Sequence, residues 1–313
     1  MKRTTLFFLF LFTIQLLKGQ SISQFHLYSY NQALFNPAVA GAENKHIVAV
    51  QGQYFMDDKL FEKGNPYTGL ISYEGNIKSI NSGIGAMIVT DKIGVYSTKK
   101  MGLSYNYKIN LSPSSVFRIG VRPTISRHVI KFSDIIFGDQ MDSFGNPIDP
   151  LVAYPEKETQ SKADLDVGMY FNSFGFYAGI SLSNVFKHEY ESNAVVDNVT
   201  YGDEFSDRLF MLLIGKKINL PVIKIDPSIA LIKNEDYAYL FLNNNLVIKN
   251  LILVGGTFSK SLHHSEYYDF SINGGVSIVN RVELIALFYS RQSHRPETSS
   301  DYKFFEGMIR VKI

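Results

Sequence analysis

The residues best suited to chemistry fall in five places, and none of them assembles a reaction centre. His263 and His264 are adjacent; neighbours on a strand point to opposite faces, so the two rings would not converge on one metal ion. Ser126 and His128 stand two apart, but no acid or amide joins them to complete a nucleophile, its base and an orienting group. Asp197, Asp203, Glu204 and Asp207 gather in one stretch, a composition that suits a solvated loop better than a calcium cage. Gly83-Ile84-Gly85 lacks the third glycine and the following helix of a dinucleotide site. Asn198-Val199-Thr200 has the form of a glycan acceptor, which is meaningless if the host is a bacterium. The expectation is a protein that is not an enzyme and holds no cofactor and no metal.

The compartment is written at the amino terminus. Lys2 and Arg3 precede an apolar run from Leu6 to Leu17, and Lys18-Gly19-Gln20 follows. This is the layout of a secretory leader over residues 1–19, too short to span a bilayer as a helix. Gln20 is then the mature start. The chain has no cysteine, so no lipid-anchored cysteine, structural disulfide or thiolate metal site is expected. With 31 Lys+Arg against 29 Asp+Glu, it lacks the basic excess of a nucleic-acid binder.

Tyr and Phe supply all the aromatics, and no later apolar stretch reaches the length of a membrane helix. Period-two alternation decides what the aromatics are for. Met101, Leu103, Tyr105, Tyr107, Ile109 and Leu111 oppose Gly102, Ser104, Asn106, Lys108 and Asn110. Phe117, Ile119, Val121 and Ile125 oppose Arg118, Gly120 and Arg122. The same rhythm recurs around 165–171, 174–182 and 268–278. About fourteen such strands fit the chain, near 46–55, 67–75, 82–91, 98–110, 115–127, 164–172, 174–184, 206–216, 222–233, 236–248, 250–260, 266–279, 281–291 and 301–313.

The connections sort by parity. The first, fifth, seventh and thirteenth are long, at 56–66, 128–163, 185–205 and 292–300, whereas every even one is short. Outer-membrane barrels have short periplasmic turns and longer outer loops. A barrel of about fourteen strands encloses a wide lumen, easier to fill with polar side chains and water than with aromatics. The apolar face is therefore read as lipid-facing. The last strand places Gly307, Ile309, Val311 and Ile313 on one face, ending with the chain. The fold class is all-β, a transmembrane outer-membrane barrel of about fourteen antiparallel strands over residues 46–313. Arg118 and Arg122 are expected to pair with Asp164 or Asp166 across neighbouring strands.

Residues 20–45 do not read as a strand. Within them runs Gln24-Phe25-His26-Leu27-Tyr28-Ser29-Tyr30-Asn31-Gln32-Ala33-Leu34-Phe35-Asn36-Pro37-Ala38-Val39-Ala40-Gly41. This resembles the opening of the PorP/SprF family of type IX secretion system membrane proteins of Bacteroidetes, whose aromatic-rich stretch ends in an Asn-Pro-Ala-Tyr-Ala-Gly box; Val39 stands where Tyr is usual. Gly83-Ile84-Gly85 running on to Asp91-Lys92-Ile93-Gly94 is similar to the family's glycine-rich strand and Asp-Lys-x-Gly loop, and Gly102 to Ser112 to its next strand.

The resemblance implies an outer-membrane barrel that does no chemistry and works beside type IX translocon components. Its partner would be the carboxyl-terminal domain of a secreted adhesin, in adhesion or gliding. Phe25, Tyr28, Asn36, Pro37, Ala38, Ala40 and Gly41 carry the first motif, and Gly83, Gly85, Asp91, Lys92 and Gly94 the second. Pro37 fixes φ, Asn36 is pushed to extended geometry and Gly41 is free to take a positive φ, so the box makes a rigid corner. Phe25, Tyr28, Tyr30 and Phe35 are then placed to plug or brace the lumen. For partner contact the candidates are the loop aromatics Tyr154, Phe186, Tyr190, Tyr201 and Phe205. Two other functions share this fold: a diffusion porin or small-molecule uptake barrel, and a scaffold that binds periplasmic machinery through its turns.

Overall fold

The computed structural model describes residues 25–56, 66–131, 158–186, 188–196, 199–206, 208–235, 237–262, 267–293 and 303–313. Seventeen strands run in chain order: β1 Ile47–Phe55, β2 Tyr67–Ile77, β3 Ser82–Ile93, β4 Tyr96–Ser112, β5 Ser115–Ile130, β6 Glu158–Ser173, β7 Phe176–Ser183, β8 His188–Val196, β9 Val199–Ser206, β10 Leu209–Lys216, β11 Ile218–Asn219, β12 Ile223–Lys233, β13 Ala238–Ile248, β14 Ile252–Ser261, β15 Tyr267–Ile278, β16 Val282–Ser293 and β17 Lys303–Lys312. Three short 3-10 turns over 26–39 precede them, and a fourth spans Lys78–Ile80.

Fourteen of the strands close into one antiparallel barrel. Each pairs with its neighbour in sequence, β7 meets β10 across the β8–β9 hairpin, β10 meets β12, and β1 pairs with β17 to seal the wall. β11 is a two-residue stub on β12, and β8 and β9 form a separate two-stranded sheet. The seam is pinned at the turn end, where His46 and Ile313 exchange backbone hydrogen bonds of 3.2 and 2.8 Å.

The alternation of the sequence becomes the two faces of this wall. Met101, Leu103, Tyr105, Tyr107 and Ile109 are all exposed, as are Ile119, Val121, Ile125, Phe270 and Ile272. The opposite positions are buried and largely polar: Asn106, Arg118, Arg122, Asp166, Asn243, Asn245, Ser271, Asn273 and Glu306. Lipid outside and a polar interior is the arrangement of a membrane barrel. A single slip of register would turn the whole apolar set inward, so the pairing is strongly specified.

Four boundaries differ from the sequence reading. β5 and β6 run to Ile130 and from Glu158, well into the stretch read as a loop over 128–163. The stretch 185–205 holds the β8–β9 hairpin; its polar, glycine-bearing sequence carries no lipid-facing row and so gave no membrane-strand signal. Asp91 and Lys92 belong to β3 rather than to a loop. The turn expected at Asn172-Ser173 is Phe174-Gly175, with φ of 48° and 80°, because a two-residue hairpin turn of this hand needs positive φ at both positions and Gly175 supplies one without strain. Val279 and Asn280 form a turn of the same type, at φ 51° and 56°.

Candidate functional site

The lumen is occupied by the chain's own amino-terminal segment, and this is the site the fold builds. From β1 back to Phe25 the chain lies inside the wall; Phe25, Leu27, Tyr28, Ala38 and Ala40 are almost wholly buried. Backbone groups away from water must find partners, and here the inward polar residues of the strands provide them.

The first part of the segment faces β13 to β17. The Glu306 carboxylate of β17 accepts from the backbone N–H groups of His26 at 2.9 Å and Leu27 at 3.0 Å, and from the Gln51 amide. The His26 ring lies 4.3 Å from Tyr289 and 5.0 Å from Phe304 between centroids. Tyr28 packs edge-on to Phe241 at 5.7 Å. Tyr30 Oη donates to Asn273 Oδ1, and Asn245 Nδ2 donates to Ser29 Oγ. Burial keeps His26 neutral, its pKa lowered to about 3 from an ordinary 6.5.

The second part, Asn36 to Gly41, lies against β3 to β7 by close backbone approach. Asn36 caps the short turn that follows it, accepting from Ala38 N–H at 2.9 Å, while its amide donates to the carbonyls of Met169 and Ile180. Asn106 Nδ2 donates to the carbonyls of Pro37 and Ala40 at 3.1 and 2.8 Å. Gly83, Gly120 and Gly168 face inward here; a Cβ on Gly120 would stand 2.5 Å from Ala38 N, one on Gly83 would collide with the Ala40 carbonyl, and one on Gly168 with the Asn36 amide. These three glycines form a cradle that any side chain would fill. Gly41 takes φ 71°, and its N–H donates to Glu74 at 2.9 Å.

Charged groups clamp the segment between these regions. Arg122 donates from Nε to Asp166 at 2.8 Å and from its two terminal nitrogens to the carbonyls of Ala33 and Leu34 at 2.9 and 2.7 Å. Lys100 reaches Asp166 at 3.4 Å. Arg118 does not pair with either expected aspartate; it donates to Asn106 Oδ1 at 3.0 Å. At the turn end Arg310 bridges Glu43 and Glu283 at 2.7 and 3.1 Å. Partial burial alone would raise the Glu43 pKa, but Arg310, Lys217 and Lys312 outweigh it and hold it below the carboxylate range. Beneath the segment a cavity of about 430 Å³ opens at the turn end, lined by Tyr30, Lys45, Lys217, Lys224, Asp226 and Arg310.

The residues singled out in the sequence divide clearly. Of the first motif, Ala40 lies against Gly83 and Gly85, whereas Asn36 meets Gly168, Pro37 and Ala38 meet Gly120, and Gly41 meets Gly75. Tyr28 packs on Phe241 of β13, and Phe25 and Tyr28 belong to the same buried apolar cluster as Phe35, Ala38 and Val39. Asp91 is at the loop end, accepting from Thr68 Oγ1, and Gly94 takes φ 57° in the tight β3–β4 connection. Of the loop aromatics Phe186 is exposed, Tyr154 lies outside the described residues, and Tyr190, Tyr201 and Phe205 fall on β8 and β9, whose side chains also lie outside them. Glu306, Glu74, Asn106 and Arg122 went unnoticed as ligands of the segment. Their only signal was polarity on the inward face of a strand. Among the described residues no cluster of His, Cys, Asp and Glu could hold a metal.

A closed fourteen-stranded antiparallel wall, apolar outside, with a polar lumen filled by its own amino-terminal segment, defines an outer-membrane β-barrel. The likeness extends to solved structures of that class: a FadL homologue of Pseudomonas aeruginosa (TM-score 0.54, 7% identity, over 90% of this chain and 93% of that one), the CymD monoaromatic hydrocarbon channel (0.53, 9%, 90% and 92%) and the P. putida toluene transporter TodX (0.51, 9%, 90% and 93%). At such identities the likeness is one of fold. Among curated proteins no sequence matches the chain. The model of the family described as type IX secretion system membrane protein PorP/SprF matches residues 17–303. The chain belongs to that family, and it is an outer-membrane component of the type IX secretion class.

Proposed function

We propose that this barrel is a non-enzymatic accessory of the type IX secretion system that holds a secreted adhesin, through its carboxyl-terminal domain, at the cell surface. The observation that carries the reading is the seated segment. With residues 25–44 bound to inward groups from β2 to β7 and from β13 to β17, the lumen is the seat of the chain itself, and contact with a partner falls to the outer face.

That face has the means. The connections at the loop end carry nineteen Asp and Glu against seven Lys and Arg, while the six short turns carry no carboxylate and four cations, Lys78, Lys217, Lys249 and Arg281. Such a polarity steers a partner with basic surface toward the loops. Phe186 and the β8–β9 hairpin with Tyr190, Tyr201 and Phe205 supply the recognition aromatics. Residues 1–19 act as the cleaved leader, 20–45 as the lumen segment and 46–313 as the barrel.

Affinity capture of the tagged protein from detergent-solubilised outer membrane, read by mass spectrometry, tests this directly. The expected result is co-recovery of a large adhesin and of translocon components, and deletion of the gene should strip that adhesin without abolishing all type IX export. A partner-free barrel that conducts ions steadily in planar bilayers would overturn the proposal in favour of a diffusion porin.

A further inference from the structure

Lys99 and Lys100 are neighbours in sequence and face opposite sides of the wall. Lys100 points into the lumen and is given Asp166 and Asn184 as partners. Lys99 shares its face with the exposed Met101 and Leu103, and among the described residues no ion pair is made with it. Directly opposite Lys99 in the β4–β5 register stands Arg127, also exposed and on the face of Ile125 and Val121. Lys92 of β3 lies on the diagonal, since Lys99 pairs with Thr90. Like charges opposite one another across strands repel, and no carboxylate among the described side chains shares this face to relieve them. A third strand thus adds to a cationic cluster that is left open outward.

Its height is informative. On β4 the exposed apolar row runs from Met101 to Leu111; at about 3.4 Å per residue and a tilt near 40° this covers roughly 26 Å along the barrel axis, close to the apolar band of outer-membrane barrels. Lys99 is the next outward position beyond that row, at the loop end. The cluster therefore sits where headgroups of the outer leaflet meet water, turned toward lipid rather than toward the lumen or the loops.

We propose that Lys92, Lys99 and Arg127 form a binding site on the barrel's outer wall for a phosphate-bearing glycolipid headgroup of the outer leaflet. Arg127 contributes planar paired donors suited to a phosphate and the two lysines compact charges beside it; basic clusters at membrane level are the usual means of holding anionic lipid. The acyl chains of such a lipid would lie along Met101, Leu103 and Ile125.

The test uses the full chain purified in neutral detergent, with native mass spectrometry reading adducts of added diphosphoryl lipid A. Lys99→Gln with Arg127→Gln should lower adduct occupancy about tenfold, while Lys99→Arg with Arg127→Lys restores it. Lys260→Gln with Lys303→Gln, cations elsewhere on the outward rim, should leave it unchanged. Folding of every variant is read from its mobility on unheated gels, and the charge-preserving swap keeps the comparison sound if the double Gln variant misfolds. Equal occupancy in wild type and double Gln variant, equal loss in the Lys260/Lys303 variant, or equal binding of dephosphorylated lipid would each overturn the site. Stripping of the adduct by millimolar inorganic phosphate would show a free-anion site and overturn the lipid assignment.

Discussion

The two parts of the lumen segment are held by opposite means. Residues 25–30 meet β13 to β17 through large side chains, His26, Tyr28 and Tyr30, and through one carboxylate that gathers two backbone N–H groups. Residues 36–41 meet β3 to β7 with the backbone itself, laid against glycines and bound by the amides of Asn36 and Asn106. Side-chain filling tolerates some exchange of shape, because neighbouring rotamers adjust. Close backbone approach tolerates almost none, because backbone atoms have nowhere to go. The second part is therefore the rigid anchor and the first the adjustable one.

The sharpest way to break that contrast is Gly120→Val. Its added carbons meet Ala38 backbone from 2.5 Å, and the expected loss exceeds about 3 kcal/mol of seating. Limited proteolysis in detergent should then cut the segment at Phe25 to Gly41 while the barrel still migrates as folded; a segment that stays protected would remove the anchor role. Next in size comes Glu306→Ala, which strands the His26 and Leu27 N–H groups and should weaken the same protection by roughly 2–3 kcal/mol. If thermal unfolding and protection both match wild type, Glu306 does not hold the segment.

A pH series, run on wild type and on His26→Gln, probes the first part through its buried imidazole. His26 has a pKa of about 3 when seated against 6.5 when free, so the seated state binds fewer protons between those values. The contribution of His26 to seating is complete above pH 6.5 and is lost as pH falls toward 3, by roughly 2 kcal/mol at pH 5. Protease release near Phe25 to Tyr30 should therefore grow more, between pH 7 and pH 5, in wild type than in His26→Gln; identical changes in the two proteins would refute the assignment. The smallest effect is expected for Ser29→Ala, which loses the one hydrogen bond from Asn245 and costs about 1 kcal/mol, measurable only as a modest fall in the midpoint of thermal release.

Legibility in the sequence follows the same division. The strands could be read because lipid demands an unbroken apolar row at every second residue, as from Met101 to Leu111. The β8–β9 hairpin could not, since its sequence carries no such row and its polar residues look like loop. The Asn36–Gly41 stretch stands out because proline, glycine and small residues are needed where backbone touches wall. Glu306, Arg122 and Asn106 did not stand out, because a polar residue on the inward face of a strand looks the same whether it meets water or a buried carbonyl.

The unequal length of the strands has a topographic consequence. β4, β5 and β6 have 17, 16 and 16 residues, whereas β7 and β10 have 8 each, and β6 and β7 start level at the Phe174-Gly175 turn. The outer rim is therefore a ramp, with a parapet along β4 to β6 standing roughly 20 Å above a low sill at β7 and β10. It is from that sill that the connection bearing the β8–β9 hairpin departs, so the hairpin is rooted at the lowest point of the described wall and the tall strands β4 to β6 stand to one side of its base.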